Sequence, residues 1–293
     1  AAGLIVGSGH SGIVGSMVQA PSHPQPGARP VALVTGAARR IGRAITLHLA
    51  THGWDVVLHH RSSAAGAEAT AADARALGAR AWLVAADLAD DTACNALVPA
   101  AVAQAGRLDA VVNNASLFSY DDVASYTGPV AEQHFRANTT PAVLLARALH
   151  AHLAARGAQG CVVNLLDQKL VNPNPDYFSY TLSKAALAEA TVMLAQALAP
   201  VLRVCGISPG VTLVSGPMDE AEFAAAHRLT PLQRSSTPDD IAGAVRFLLE
   251  APAVTGTTLL VDGGQHLLGQ PRDVLFLAQQ QLQQQRAAAA TKD

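Results

Sequence analysis

The sequence predicts an α/β fold: a single-domain, doubly wound parallel sheet flanked by helices on both faces. Three observations predict it. From residue 30 to residue 261, strand-like and helix-like stretches alternate. The strand-like stretches are continuous apolar runs without polar alternation, as expected of strands covered on both faces. A glycine-bearing turn follows the first strand and opens the first helix. The 293 residues suffice for one large domain and do not require two. Hydrophobic residues make up 50% of the chain and aromatics only 4%. Alanine therefore carries much of the apolar count, which favours helices packed closely on a sheet.

The elements follow in order. Residues 31–35 form a short apolar strand and 40–52 the first helix. A second strand spans 55–60, a helix 64–77 and a third strand 81–86. A helix over 90–105 leads to a strand at 109–113, and one long helix lies within 129–156. A strand at 161–165, a helix at 177–199 and a strand at 203–207 come next. A helix at 239–250 and a last strand at 257–261 complete the alternation. Each strand–helix–strand step implies a right-handed crossover and hence a mostly parallel sheet. The expected organisation is a tail at 1–29 (disordered, or an expression remnant), a single α/β domain at 30–268 and a C-terminal extension at 269–293. Residues 273–290 suit either a frayed polar tail or a helix serving as a lid or contact arm, and the glutamine run at 279–285 favours the tail.

Bulk properties exclude several function classes. A net charge of −2 leaves no nucleic-acid footprint. Cys94, Cys161 and Cys205 match no metal or redox spacing and read as buried thiols of a reducing compartment. His150 and His152 point to different helix faces, so no metal site is expected. No uninterrupted apolar run reaches the roughly 18 residues a membrane helix needs. A cytoplasmic protein is the expectation. The glycine pattern at 7–12 is a decoy, because prolines follow it and the first acid in the chain is Asp55.

The turn after the first strand carries chemistry. Gly36 permits a tight turn, Gly42 permits close helix–sheet packing, and the helix N-terminus offers free N–H groups to a diphosphate. Arg40 stands where a middle glycine is usual. Two cations, Arg39 and Arg40, at the positive end of a helix dipole call for an anionic ligand. At the end of the second strand, where an acid would bind the ribose of NAD, the chain reads His59-His60-Arg61-Ser62. Cations and a hydroxyl there suit a 2′-phosphate, so NADP(H) is the expected cofactor. Asp87 and Leu88 are placed to meet the adenine, and Asn114 and Ala115 to line the cofactor.

Tyr180 and Lys184 lie one helical turn apart and share a face. A phenol with an ordinary pKa near ~10 is a poor acid–base catalyst at neutral pH, and a neighbouring ammonium should pull it down. Lys184 can also hold the nicotinamide ribose, and Asn138 can bend its helix around a water and link the lysine to solvent. Thirteen residues before Tyr180 stands Asp167, where such a pair usually has a serine that steadies a carbonyl. A carboxyl there suits an electrophile whose ring nitrogen gains a proton as hydride arrives at the adjacent carbon.

With Thr35–Gly42, Asn113-Asn114-Ala115, Asn138, Tyr180/Lys184, Pro209-Gly210 and Asp262-Gly263-Gly264, the chain resembles the short-chain dehydrogenase/reductase family, a Rossmann fold, from about residue 30 to 266. Within that family it is similar to the pteridine reductases. Arg40, Asp167, the Phe118 that ends Asn113–Phe118, the Tyr177/Tyr180 pair and Pro231-Leu232-Gln233-Arg234 carry that likeness. Bacterial dihydromonapterin reductases share the arginine and the aspartate. The resemblance implies an NADPH-dependent reductase of pterins, acting on biopterin, dihydrobiopterin, dihydromonapterin or dihydrofolate. It implies Asp167, Tyr180, Lys184 and Asn138 in catalysis, and Arg40, Phe118, Asp167, Tyr177 and Tyr180 around the pterin. It adds Ile41, Ser116, Pro209 and Gly210 to the cofactor contacts, and a homotetramer with helix 177–199 as a contact surface. The long C-terminal tail and a shorter stretch around 87–108 depart from the pattern. A carbonyl or 3-oxoacyl reductase of the same fold, and a cofactor-sensing regulator without turnover, are the competing readings.

Overall fold

The computed structural model describes residues 29–214 and 218–290. The expectations for residues 1–28, including the decoy, lie outside the described residues. The strands are β1 (Val31–Val34), β2 (Asp55–His60), β3 (Ala81–Ala85), β4 (Ala110–Asn113), β5 (Gly160–Leu165), β6 (Leu202–Pro209) and β7 (Thr258–Val261). They form a seven-stranded sheet in the order β3-β2-β1-β4-β5-β6-β7, and every pairing is parallel. The chain order reverses between β1 and β4, so a crevice opens beyond the carboxyl ends of those strands.

The helices are α1 (Arg40–Thr51), α2 (Ala64–Ala76), α3 (Asp91–Ala105), α4 (Gly128–Asn138), α5 (Thr140–Arg156), α6 (Phe178–Ala197), α7 (Glu220–Arg228), α8 (Pro238–Glu250) and α9 (Val274–Ala290). Two apolar layers sandwich the sheet. Ala32, Val34, Val112 and Val163 point to one face, with Ile45 and Leu49 of α1, Ala71 of α2 and Val245 of α8. Val31, Leu33, Val111 and Val162 point to the other, with Leu97 of α3, Leu145 and Leu149 of α5 and Ala195 of α6. Burial of alternate side chains on opposite faces explains why the central strands read as unbroken apolar runs. Asp55 and Asp109 tie the amino-terminal edge of the sheet. Asp55 accepts from Arg80 N and Nε at 2.8 and 2.7 Å, and Asp109 accepts from Val31 N at 2.9 Å.

Three elements differ from the sequence expectation. The long helix expected within 129–156 is two helices that break at Thr139 (φ −107°, ψ −56°). Pro141 sits in the first turn of α5, where its missing N–H costs nothing, and Thr139 Oγ1 donates to Ser183 O at 2.8 Å. Helix α7 went unforeseen although its signal is present. Asp219 and Glu222 form a reciprocal capping box, each side chain accepting from the other's backbone N–H at 2.8 Å. Residues Val274–Ala290 form α9 rather than a frayed tail, with Val274, Leu275 and Ala278 buried against Met218, Ala225 and Ala226.

Leu33 is fully buried in the central strand. Leu33→Ala is expected to remove about 2–5 kcal/mol of stability, read as a lower urea midpoint with an unchanged slope.

Candidate active site

Two connected cavities lie along the carboxyl ends of the strands. The first, a cleft of about 490 Å³, runs across the ends of β1, β2, β3 and β4. Gly36, Arg39, Arg40, Ile41 and Gly42 form one wall, His60, Arg61 and Ser62 one end, and Asp87, Leu88, Asn114, Ala115 and Ser116 the rest. The structure thus brings together the residues expected on the phosphate, adenine and ribose sides. Glycine is needed at two of them. Gly36 takes a φ of +65°, and a Cβ on Gly42 would lie 2.3 Å from Gly36 O. Thr35, which the site prediction left out, locks this turn to β4: its Oγ1 accepts from Asn114 N and Ala115 N at 2.9 and 3.0 Å.

The phosphate-side prediction needs one correction. His59 is not a cleft cation. It is buried, accepts the Gly36 N–H on Nδ1 at 3.2 Å and pairs Nε2 with Ala86 O at 3.1 Å. Burial lowers its pKa, so it stays neutral and braces the turn. His60 points the other way, as successive strand residues must. Its Nδ1 is buried without a hydrogen-bond partner among the described residues. An unpartnered nitrogen beside Arg61 and Ser62, with Arg39 nearby, fits an anionic group of a nucleotide.

Arg40 has a φ of +55°, a left-handed conformation that favours glycine. Its guanidinium crosses to the loop after β6, where Nη2 donates to Val214 O at 2.9 Å. Arg40 therefore lines both cavities.

The second cavity, of about 230 Å³, lies between the end of β5, the start of α6, the loop after β6 and α9. Asp167, Tyr177, Tyr180, Lys184, Phe118, Pro209 and Gly210 line it. The Tyr180 hydroxyl donates to Asp167 Oδ2 at 2.9 Å, and Asp167 Oδ1 accepts from Lys169 N at 2.9 Å. Lys184 Nζ donates to Leu165 O at 2.7 Å and sits 5.8 Å from the centre of the Tyr180 ring. Phe118 stacks flat on Tyr177 at 4.3 Å and meets Tyr180 edge-on at 4.8 Å. The start of α6 is held from outside the helix. Tyr177 takes a φ of +53°, and the buried carboxylate of Asp121 accepts from Ser179 N at 2.9 Å and from Ser179 Oγ.

The electrostatics reverse one expectation. Burial and the facing Asp167 carboxylate push the Tyr180 phenol well above its ordinary value, so Lys184 does not create a phenolate here. Burial also raises Asp167, and it depresses Lys184 to about 8. Lys184 donates to a carbonyl instead of contacting the phenol oxygen, which is why its effect on the tyrosine is weak. Asp167 and Tyr180 thus form a proton-holding pair.

Asn138 is not brought into either cavity. Its side chain accepts from Leu117 N at 2.7 Å and Ser116 Oγ at 3.1 Å, and donates to Leu117 O at 3.0 Å and Ser183 Oγ at 2.9 Å. It straps the loop after β4 to α6, at the α4–α5 break. The segment Pro231-Leu232-Gln233-Arg234 also stays outside both cavities. It docks on the Gly263-Gly264 turn, with Leu232 N donating to Gly263 O at 3.1 Å.

A parallel α/β sheet with a glycine turn at its switch point and a buried tyrosine–lysine pair defines a nucleotide-dependent oxidoreductase. Residues 36–266 match the family model described as enoyl-(acyl carrier protein) reductase. The chain belongs to the short-chain dehydrogenase/reductase family. It is similar to a solved structure from Brucella canis, "FolM Alternative dihydrofolate reductase 1" complexed with NADP. Identity is 40%, the TM-score 0.76, and the match covers 82% of this chain and 95% of that one. It is also 33% identical to "Pteridine reductase 1" of Leishmania tarentolae, covering 81% of this chain and 96% of that protein. The 3-oxoacyl-[acyl-carrier-protein] reductase of Synechocystis is 30% identical, with 80% and 96% covered. No helix among the described residues is long and apolar enough to cross a membrane.

The depressed Lys184 gives a pH test with a fixed sign. Its pKa falls from 10.5 to about 8 on folding, so its contribution to stability is complete above pH 10.5 and is lost as pH falls through 8. Lys184→Met removes that penalty. The variant should gain about 3 kcal/mol relative to the native chain on going from pH 10.5 to pH 6, measured by urea unfolding at both values.

Proposed function

We propose that this protein reduces a pterin at a C=N bond using NADPH. The carrying observation is the carboxyl of Asp167, hydrogen-bonded to the Tyr180 hydroxyl at 2.9 Å, at the place where a serine would steady a carbonyl. A C=N substrate needs a proton on nitrogen, and the upward shifts of Asp167 and Tyr180 keep a proton on this pair more readily than on free side chains. The likeness to an alternative dihydrofolate reductase and to a pteridine reductase supports this reading.

Each residue then has a part. NADPH supplies the hydride when bound. Gly36, Arg39, Arg40, Ile41, Gly42, His60, Arg61, Ser62, Asp87, Leu88, Asn114, Ala115, Ser116, Pro209 and Gly210 hold it along the first cleft and into the second cavity. Tyr180 passes its proton to the substrate nitrogen and is reprotonated by Asp167. Lys184 orients the ribose. Phe118 parts from Tyr177 to cover the flat, electron-poor ring, an arrangement that favours stacking. Arg40 supports the carbonyl edge of the pterin from its position between the cavities. Asn138 acts through the loop at 114–118 by fixing Ser116 and Leu117. The family's usual assembly supports a homotetramer with α6 at a contact, and the proposal includes a cytoplasmic location.

The second reading, reduction of 3-oxoacyl or simple carbonyl substrates, is favoured by the likeness to the Synechocystis reductase. The two separate in one assay: NADPH oxidation with biopterin, dihydrobiopterin, dihydromonapterin and dihydrofolate beside a panel of ketones. Turnover of pterins alone is expected, and turnover of ketones alone overturns the proposal. Asp167→Ser should lower pterin kcat/KM by roughly 10²–10⁴-fold while NADPH affinity changes little. Equal loss of both would remove Asp167 from the chemistry.

A further inference from the structure

Helix α9 supplies part of the second cavity, and the residues that lead into it are held by several buried groups. Arg272 clamps the buried carboxylate of Asp176 through Nε and Nη2, both at 2.8 Å, and Asp273 N donates to the same group at 2.7 Å. The buried Lys169 ammonium donates to Asp176 O at 2.6 Å and to Asp273 Oδ2 at 3.2 Å. The guanidinium of Arg272 lies 4.6 Å over the Phe276 ring, which meets Tyr120 edge-on at 5.8 Å. These contacts fix Asp273, Val274 and Leu275 as part of the wall of the cavity that the Asp167–Tyr180 pair also lines. Leu275 is 2% exposed, so the wall is packed from behind by α7.

We infer that Asp273 and Leu275 determine specificity by limiting the length and charge of the substituent on the reduced ring. The inference rests on the pterin reading above. The cavity of about 230 Å³ is smaller than the roughly 300–1,000 Å³ of sites for drug-sized ligands. It suits a bicyclic ring with a short side chain. The chemistry of the wall points the same way. Asp273 holds Lys169 on one oxygen and caps Leu275 N at 3.1 Å on the other. Its remaining lone pairs accept from hydroxyl groups and repel a carboxylate. The cations at this end are already engaged: Lys169 by Asp273, and Arg272 by Asp176. A ring with a short, hydroxylated, uncharged substituent is therefore accepted. A ring with a long aryl-glutamate tail meets Leu275 and the Asp273 carboxylate at this wall, where Lys169 and Arg272 are already paired.

The test compares the intact enzyme with Leu275→Ala and Asp273→Asn, using dihydrobiopterin as the short substrate and dihydrofolate as the long one. Circular dichroism and thermal unfolding check that both variants fold. Both retain the Arg272–Asp176 clamp. The intact enzyme should favour dihydrobiopterin. The ratio of kcat/KM for dihydrofolate to that for dihydrobiopterin should rise about tenfold in each variant. An unchanged ratio in both folded variants, or an intact enzyme that uses both substrates equally, overturns the inference. If ketones are reduced and pterins are not, the pterin reading fails separately. The wall is then tested by the same ratio with a short and a long-chain 3-oxoacyl ester: a rise in Leu275→Ala upholds the length limit, and no rise rejects it.

Discussion

A β-carbon on Gly42 would lie 2.3 Å from Gly36 O and 2.6 Å from Asn114 Nδ2. Helix α1 therefore approaches the β1 turn and the end of β4 as closely as backbone allows. The rest of the site is measured from that contact. It aims the start of α1 into the cleft, fixes Thr35 against Asn114 and Ala115, and sets the loop that carries Ser116 and Phe118 toward Tyr180. His59 reinforces it from beneath by accepting the Gly36 N–H. Asn138 reinforces it from the far side by holding Leu117 and Ser183 together. The parallel sheet brings these pieces to one edge because its strand order reverses between β1 and β4.

The second organising force is the cost of hiding ionisable groups. Asp167, Tyr180 and Lys184 share a cavity in which none has a fully charged partner in ideal contact. Burial therefore moves each toward its neutral form, the acids upward and the lysine downward. Asp167 and Tyr180 therefore hold their protons more tightly than free side chains would, which keeps a proton stored beside the cavity. Outside the reacting cluster the chain does the opposite. Asp176 is buried with Arg272 and a backbone N–H on its carboxylate, which holds its pKa down and keeps it a fixed anion.

Much of this was legible from residue order. The apolar runs at β1, β2, β4 and β5 show up because both faces of a central strand are covered, and the Tyr180–Lys184 spacing shows up because a helix has a fixed period. The break at Thr139 was legible in principle, since Pro141 cannot continue a helix, but the apolar content on both sides concealed it. Helix α7 announced itself through Asp219 and Glu222. Residues joined only by tertiary contact left no local trace: Asp121 capping Ser179 across 58 positions, and Lys169 meeting Asp273 across 104. The glutamines of α9 masked the smaller signal of Val274, Leu275 and Ala278, which share one face and decide that the segment packs. The protonation of Tyr180 was beyond the sequence for another reason. It depends on which oxygen the hydroxyl faces, and spacing alone does not reveal that.

Arg40 carries an implication for how this site persists through mutation. A non-glycine residue in the left-handed region costs on the order of 1–3 kcal/mol, and Arg40 occupies it at a φ of +55°. Replacement by glycine would relax the backbone and favour the fold. Genetic drift alone would therefore tend to erase the arginine, as it erases any residue that burdens folding without benefit. An arginine in this slot is a standing load on the protein, and its persistence along a lineage would mark continued selection for whatever lies between the two cavities it joins.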